Sequence, residues 1–423
     1  MKTTDFLRFW TLRLVLGLLL GIMPAALAGC APETATRSTC RDALGCVWVE
    51  PGEAVKLVSL QTFSGPLASV GEELVRTLEL RVAEHGGPYD RPVTIVREDE
   101  QCSASGGLVA AQKIVTDPSV VAIHGPHCSS AAVPAARVLS EAGMVMVSGT
   151  ATASSLTSKS GKRGEHQQPG FFRTASNDQF QGMAAASFAY DFLGLRRAAT
   201  VHDQSPYASG LTEAFAEAFL AKGGEVVFTG TVAQRDRNMR PVAQAMAGYG
   251  PEFLFLPIFS PEAEYLIQAV RAEPKLSDLT LLSADSILNQ PFIQGCGIAC
   301  QGMLFIAPAQ VRSPAYTTFL DRYVQTYGTG TVGYFHAHGY DAASILLHAL
   351  EQASFPEPDG SLRIERQRIR DVLYGLLRFP GLTGALNCDA FGDCGVPRFK
   401  LVRLEASMDF EQTLNNTLAV YAP

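Results

Sequence analysis

Hydrophobic and polar positions follow two periods along this chain. Val55–Gln61 is a mostly apolar run suited to a buried strand, followed by a Gly-Pro turn and a helical pattern over Glu72–Glu84. Further strands are predicted at Val93–Arg97, Val120–His124 and Met144–Val147, with helices at Gly107–Val115 and Ala131–Glu141. A polar loop, Ser154–Gly170, interrupts the pattern. Strands then fall near Ala198–His202, Glu225–Thr231, Phe253–Leu256, Thr280–Leu282 and Met303–Ile306. Helices lie between them near Gln179–Phe192, Leu211–Lys222, Met239–Ala247 and Glu262–Arg271. The later chain is mostly helical (Tyr316–Tyr327, Ala337–Gln352, Glu365–Leu377) and closes with a strand at Arg398–Leu404. Such alternation predicts an α/β architecture, with parallel sheets covered by helices on both faces.

The N-terminus departs from this pattern. Lys2, Arg8 and Arg13 flank a start whose continuation, Leu14 to Gly29, carries no charge and ends in small residues. That run is short for a membrane span and reads as an export signal. Leu27-Ala28-Gly29-Cys30 matches a bacterial lipobox, which makes residues 1–29 a lipoprotein signal peptide and Cys30 the lipidated first residue of the mature chain. Residues 30–52, rich in Thr, Ala, Pro and Glu, read as a lipidated tether. The protein is therefore expected outside the cytoplasm, held to a membrane through its N-terminal lipid.

Cysteine usage fits that compartment. Nine cysteines less Cys30 leave eight, and an even remainder in an exported chain reads as disulfides. Short loops close at least entropic cost, so Cys40–Cys46, Cys296–Cys300 and Cys388–Cys394 are natural pairs, and Cys102–Cys128 follows by elimination. Cys296 and Cys300 also have a spacing that zinc sites use, but no second cysteine or histidine pair completes four ligands, so no metal is expected.

Composition bounds the rest. The formal charge is −7, and residues 1–29 carry three Lys/Arg and one Asp, so the chain from Cys30 onward stands at −9. An acidic chain with no basic stripe is a poor partner for nucleic acid. Roughly 370 residues follow the tether, more than one core usually organises, which predicts two lobes.

Strand-to-helix turns are where such folds bind ligands. In Ile123-His124-Gly125-Pro126-His127-Cys128-Ser129-Ser130 a buried strand meets a Gly-Pro turn, with both serines placed at the N-cap of the next helix. Free amides and the helix dipole favour a carboxylate there, although a serine cap needs no ligand. Ser148-Gly149-Thr150-Ala151-Thr152 forms a second polar cluster after the next strand.

With these pieces in place, the chain resembles the leucine/isoleucine/valine-binding branch of periplasmic binding proteins, the type I (Venus-flytrap) fold used by ABC importers. The resemblance runs in order through Ser64-Gly65-Pro66, Glu98 to Cys102, Gly125 to Ser130, and Val147 to Thr152 with Leu156-Thr157. It continues through Phe172-Arg173-Thr174, Asp178 to Gly182, Val201-His202-Asp203 with Tyr207 and Gly210, and Gly302-Met303. It implies two Rossmann-like lobes, 53–173 plus 309–380 and 174–308 plus 381–423, with the family's disulfide on Cys102–Cys128. It further implies that Ser129, Thr150 and Thr152 hold the α-carboxylate of an amino acid and that Asp285, where the family often has Glu, pairs its ammonium. Tyr207 matches an aromatic that closes over the ligand, and Phe259 and Phe335 fall near other lining positions. Val70 stands where close relatives of the leucine binder have an aromatic wall, so the branched-chain preference is less supported than the zwitterion clamp. The partners implied are a small amino acid and ABC permease subunits, with no cofactor.

No enzyme is expected: there is no G-x-S-x-G elbow and no nucleophile with an ordered base. His336 and His338 lie two residues apart on different helical faces, unsuited to joint metal ligation. A sensor module that signals an amino acid or amide to a membrane partner without transport is the alternative, since one fold serves both uses.

Overall fold

The structure is a computed structural model and describes residues 37–309 and 312–423. The expected signal peptide and Cys30 lie outside the described residues. Among these, no helix is long and apolar enough to cross a membrane.

Two separate sheets organise the chain. The first contains Val55–Gln61 (β1), Val93–Asp99 (β2), Val120–His124 (β3), Met146–Ser148 (β4) and Phe171–Arg173 (β5), all parallel, in the order β2-β1-β3-β4-β5. The central strands are apolar on both faces because both are covered. Val55, Leu57, Val145 and Val147 face one core, whereas Val58, Leu60, Met144 and Met146 face the other. The first core is closed by Ala342, Ile345, Leu346 and Leu350 of helix His336–Ala353. The second is closed by the helices Ala104–Val115 (α1) and Ser129–Glu141 (α2) through small residues, Ala110, Ala111, Ala132, Ala135 and Ala136. Alanines let helices and strands approach closely.

The second sheet runs Glu225–Thr231, Arg197–His202, Phe253–Phe255, Thr280–Ser283, Leu304–Pro308, Phe399–Arg403 and Thr417–Tyr421 from edge to edge. The first five are parallel and the last two antiparallel. On it pack Asp178–Ser187 (α3) and Pro206–Ala221 (α4), whose Phe215 and Phe219 stack against each other and meet Phe253 edge-on. This is the two-lobed α/β architecture expected from the alternation of strands and helices.

Two boundaries differ from the sequence reading. Cys46–Val49, assigned to the tether, is a strand that pairs antiparallel with Leu362–Glu365, and Val47 and Val49 are buried. Its two inward valines are too short a pattern to stand out beside a Pro-rich segment. The segment from 381, assigned to the second lobe, stays with the first: Leu386, Cys388 and Cys394 belong to the same core as Val55 and Leu57. The return to the second sheet comes only before Phe399. All four disulfides join the pairs expected: Cys40–Cys46, Cys102–Cys128, Cys296–Cys300 and Cys388–Cys394.

Gly182 sets the distance between α3 and α4. A Cβ placed there would lie 2.6 Å from the Phe215 nitrogen and 2.7 Å from the Ala214 carbonyl carbon, both backbone atoms that cannot swing aside. Gly182→Ala is therefore expected to lower stability by about 1–3 kcal/mol despite alanine's better helix propensity. Urea unfolding of the purified variant checks this; equal or greater stability would mean the helices have room to part.

Candidate functional site

Between the lobes lies a cavity of about 50 Å³ at the C-terminal ends of the strands. On the first lobe it is walled by the start of α2. The N-cap there is Cys128, not a serine, and it makes no side-chain cap; Ser129 is the first helical residue. This corrects the expected serine cap. With its sulfur held in a disulfide, Cys128 leaves the first amides of α2 without a side-chain acceptor, so the positive end of a 13-residue helix faces the cavity.

The loops around this helix end are held by charges buried within the protein. Glu100, fully buried, accepts bonds from the amides of His127 at 3.0 Å and Cys128 at 2.7 Å and from the Thr62 hydroxyl at 3.0 Å. Burial nonetheless pushes its carboxyl up to about 8. Arg173 is also fully buried; its Nε donates to Asp393 at 2.6 Å, and Nη1 donates to the carbonyls of Ala151 and Ala153 at 3.0 and 2.8 Å. These bonds fix the turn that carries Thr150 and Thr152. Glu73 similarly accepts from the amides of Val332 and Gly333, ahead of the cavity-lining Tyr334 and Phe335, and burial raises it to about 7.

The hydroxyls on this wall are not equivalent. Ser129 Oγ accepts from the Ala153 amide at 3.1 Å, which leaves its proton to donate elsewhere. Thr150 Oγ1 spends its proton on the His127 carbonyl at 2.8 Å, and its amide is taken by Ser148 Oγ at 3.1 Å. Thr150 thus braces the loop and the Thr152 hydroxyl bonds toward Asp178, so Ser129 and the α2 amides are the better placed donors.

Across the cavity stands Asp285, in the short turn after strand Thr280–Ser283. Its Oδ1 accepts from the Tyr207 hydroxyl at 2.7 Å, whereas Oδ2 is buried with no hydrogen-bond partner among the described residues. Burial raises this carboxyl to about 6, against the Tyr207 hydroxyl, the Gln181 amide and the Tyr334 hydroxyl, which lower it. Behind it, Asp178 is fully buried and pushed well above the ordinary range by burial and then by the charge of Asp285. Tyr207 packs on Phe259 with ring centroids 5.2 Å apart.

All eight residues singled out from sequence, Val70, Ser129, Thr150, Thr152, Tyr207, Phe259, Asp285 and Phe335, line this one cavity. Sequence reasoning missed Leu67, His127, Ser286, Leu288, Asn289 and Tyr334, which line it too. His127 sat inside the run read as a turn, and Tyr334 adjoins Phe335; neither had a pattern of its own. His336 and His338 are core residues: His336 bonds the Gly333 carbonyl and the Tyr316 hydroxyl, and His338 the Thr174 carbonyl. Glu100, His127 and Cys128 gather their donor atoms within 4.8 Å, but a disulfide sulfur is no thiolate ligand and both Glu100 oxygens are engaged.

Residues 54–393 match the protein family described as periplasmic binding protein. The Leu/Ile/Val-binding protein of Escherichia coli is 24% identical over 259 residues, covering 60% of this chain and 68% of the relative. A leucine-binding protein of Thermotoga maritima has a similar structure, with TM-score 0.75 and 22% identity over 88% of this chain and 99% of that one. A solute-binding protein of an ABC transporter from R. palustris, solved with benzoate, gives TM-score 0.72 and 20% identity over 88% and 97%.

The unpartnered carboxylate has a measurable consequence in the ligand-free protein. With its folded pKa raised to about 6 against an ordinary value near 4, Asp285 binds a proton in the folded state before it does in the unfolded one. Its contribution to stability therefore rises as pH falls from 7 to 4 and is lost as pH climbs through 6. Asp285→Asn removes that dependence and is expected to be more stable than wild type at pH 7, by about 2–3 kcal/mol, with the gap closing near pH 4. Denaturant titrations of both proteins across that range test it; a gap that widens on acidification would contradict the assignment.

Proposed function

Because the chain belongs to the periplasmic binding protein family, we propose that it is the substrate-binding component of an ABC importer, holding a small amino acid as a zwitterion between its lobes. It is an extracytoplasmic binding protein and not an enzyme. One observation carries the choice of ligand: an uncapped helix end with the free Ser129 hydroxyl on one lobe faces a buried Asp285 oxygen on the other that has no hydrogen-bond partner among the described residues. The first attracts a carboxylate, the second requires a cation, and an α-amino acid supplies both at short separation. A simple aromatic acid would satisfy the helix end and leave Asp285 unpaired. The size of the cavity favours a ligand of few atoms, and Val70 in place of a large wall residue leaves the side-chain preference to other groups.

The lipobox ending at Cys30 supports an anchored protein that presents its cleft to permease subunits at the membrane. Ligand binding would then couple to lobe closure, because the two charges of the zwitterion contact different lobes.

Calorimetry against the twenty amino acids and benzoate tests the ligand class, with binding confined to amino acids as the expected result. Asp285→Ala is expected to weaken that binding by about 30-fold to several thousand-fold, the cost of an ammonium buried unpaired. Thr152→Val loses less, since Ser129 and the helix amides still meet the carboxylate. Wild-type affinity in Asp285→Ala would sink the clamp, whatever the fold.

For the anchor, Cys30→Ala is expected to move the protein from the detergent-extracted membrane fraction to an uncleaved or soluble form. A cleaved variant that still partitions to membrane would remove the lipid from the account.

A further inference from the structure

Of the polar side chains that line the cavity outside the zwitterion clamp, His127 carries a buried atom without a partner. His127 is 7% exposed, lines the cavity, and its Nδ1 has no hydrogen-bond partner among the described residues. It is also firmly set. Its amide is bound by Glu100 at 3.0 Å and its carbonyl by Thr150 at 2.8 Å, so the backbone on both sides of the ring is pinned. A buried polar atom left unmatched in so well bonded a loop is costly, which makes a ligand atom its natural complement. We propose, building on the amino-acid reading above, that His127 determines specificity by hydrogen-bonding the ligand's side chain, so that the site selects a small amino acid bearing a hydroxyl or carboxamide over its apolar isostere.

The charge of that side chain follows from the rest of the wall. Among the described residues no lysine or arginine lines the cavity, so an acidic side chain would meet no counter-charge. Asp285 is the sole carboxylate on the wall among the described residues, and the ammonium occupies it, so a basic side chain would meet none either. Burial pushes the imidazole down to about 4, so near neutral pH it offers one donor and one acceptor, the complement of a hydroxyl or an amide. Ser286 donates to the Ile258 carbonyl and Asn289 Oδ1 caps the Phe292 amide, while Leu67, Val70, Phe259, Leu288 and Phe335 are apolar and set size.

Isosteric pairs make the test. Wild-type protein is titrated calorimetrically with threonine against valine and asparagine against leucine, and the same four are repeated on His127→Leu and His127→Gln. A site built to bond a polar group rejects the analogue lacking it far more strongly than an apolar pocket rejects an added hydroxyl. The expected wild-type preference for the polar member of at least one pair is therefore about 100-fold or more. His127→Leu should reduce that ratio at least about tenfold while leaving valine or leucine bound no more weakly, and His127→Gln should retain part of it. Should His127→Leu fail to fold, the wild-type ratios decide alone. Wild-type protein that prefers valine and leucine, or a ratio unchanged in His127→Leu, overturns the role of His127 and leaves the zwitterion clamp standing. Absence of binding by every amino acid overturns both.

Discussion

A carboxylate taken out of water must find donors or a positive charge, and the cleft of this protein is arranged by how its buried acids do so. Glu100 takes the amides of His127 and Cys128, Glu73 those of Val332 and Gly333, and Asp393 takes Arg173, which in turn holds the carbonyls of Ala151 and Ala153. Each of these ties fixes a loop whose residues line the cavity. Asp285 stands at the cavity itself: Oδ1 is met by Tyr207, and Oδ2, like Oε1 of Glu73, has no hydrogen-bond partner among the described residues. Glu100 and Asp393 are satisfied within the chain, whereas Asp285 borders the cavity.

That division explains why function and stability pull apart here. Burial lifts Glu73, Glu100 and Asp285 above the usual carboxylate range, so each carries a cost when ionised. For Glu73 and Glu100 the cost is offset by backbone amides that would otherwise lack acceptors, and the outcome is a rigid rim. For Asp285 it is offset in part by Tyr207, and a cation entering the cavity would offset the rest.

The fold was legible from sequence because its strongest signals are long and local. β1 and β3 were placed end to end, since strands buried on both faces cannot be mistaken for solvent-exposed segments. Cys46–Val49 and Leu362–Glu365 escaped because each has two inward residues and gains meaning only from the other. The eight site residues were reached through a resemblance, and their polarity alone would have left Thr150 and Asp285 as ordinary turn residues. What no sequence pattern carries is which hydroxyl keeps its proton free. Thr150 and Ser129 look alike as letters, and only the His127 carbonyl and the Ala153 amide separate a brace from a donor.

His127 illustrates the same limit from the other side. A histidine after a Gly-Pro turn is unremarkable in sequence, and inside a lobe it would be one more satisfied core residue like His336 or His338. Its position differs because both of its backbone polar groups are committed to fixing the loop while its ring is not. The loop that presents the helix end to a carboxylate therefore presents the imidazole as well, and a single set of bonds from Glu100 and Thr150 aligns the general and the selective parts of recognition. Changing selectivity then requires only the ring at this position to change, with the clamp untouched, which is how one scaffold serves ligands that share a carboxylate and differ beyond it.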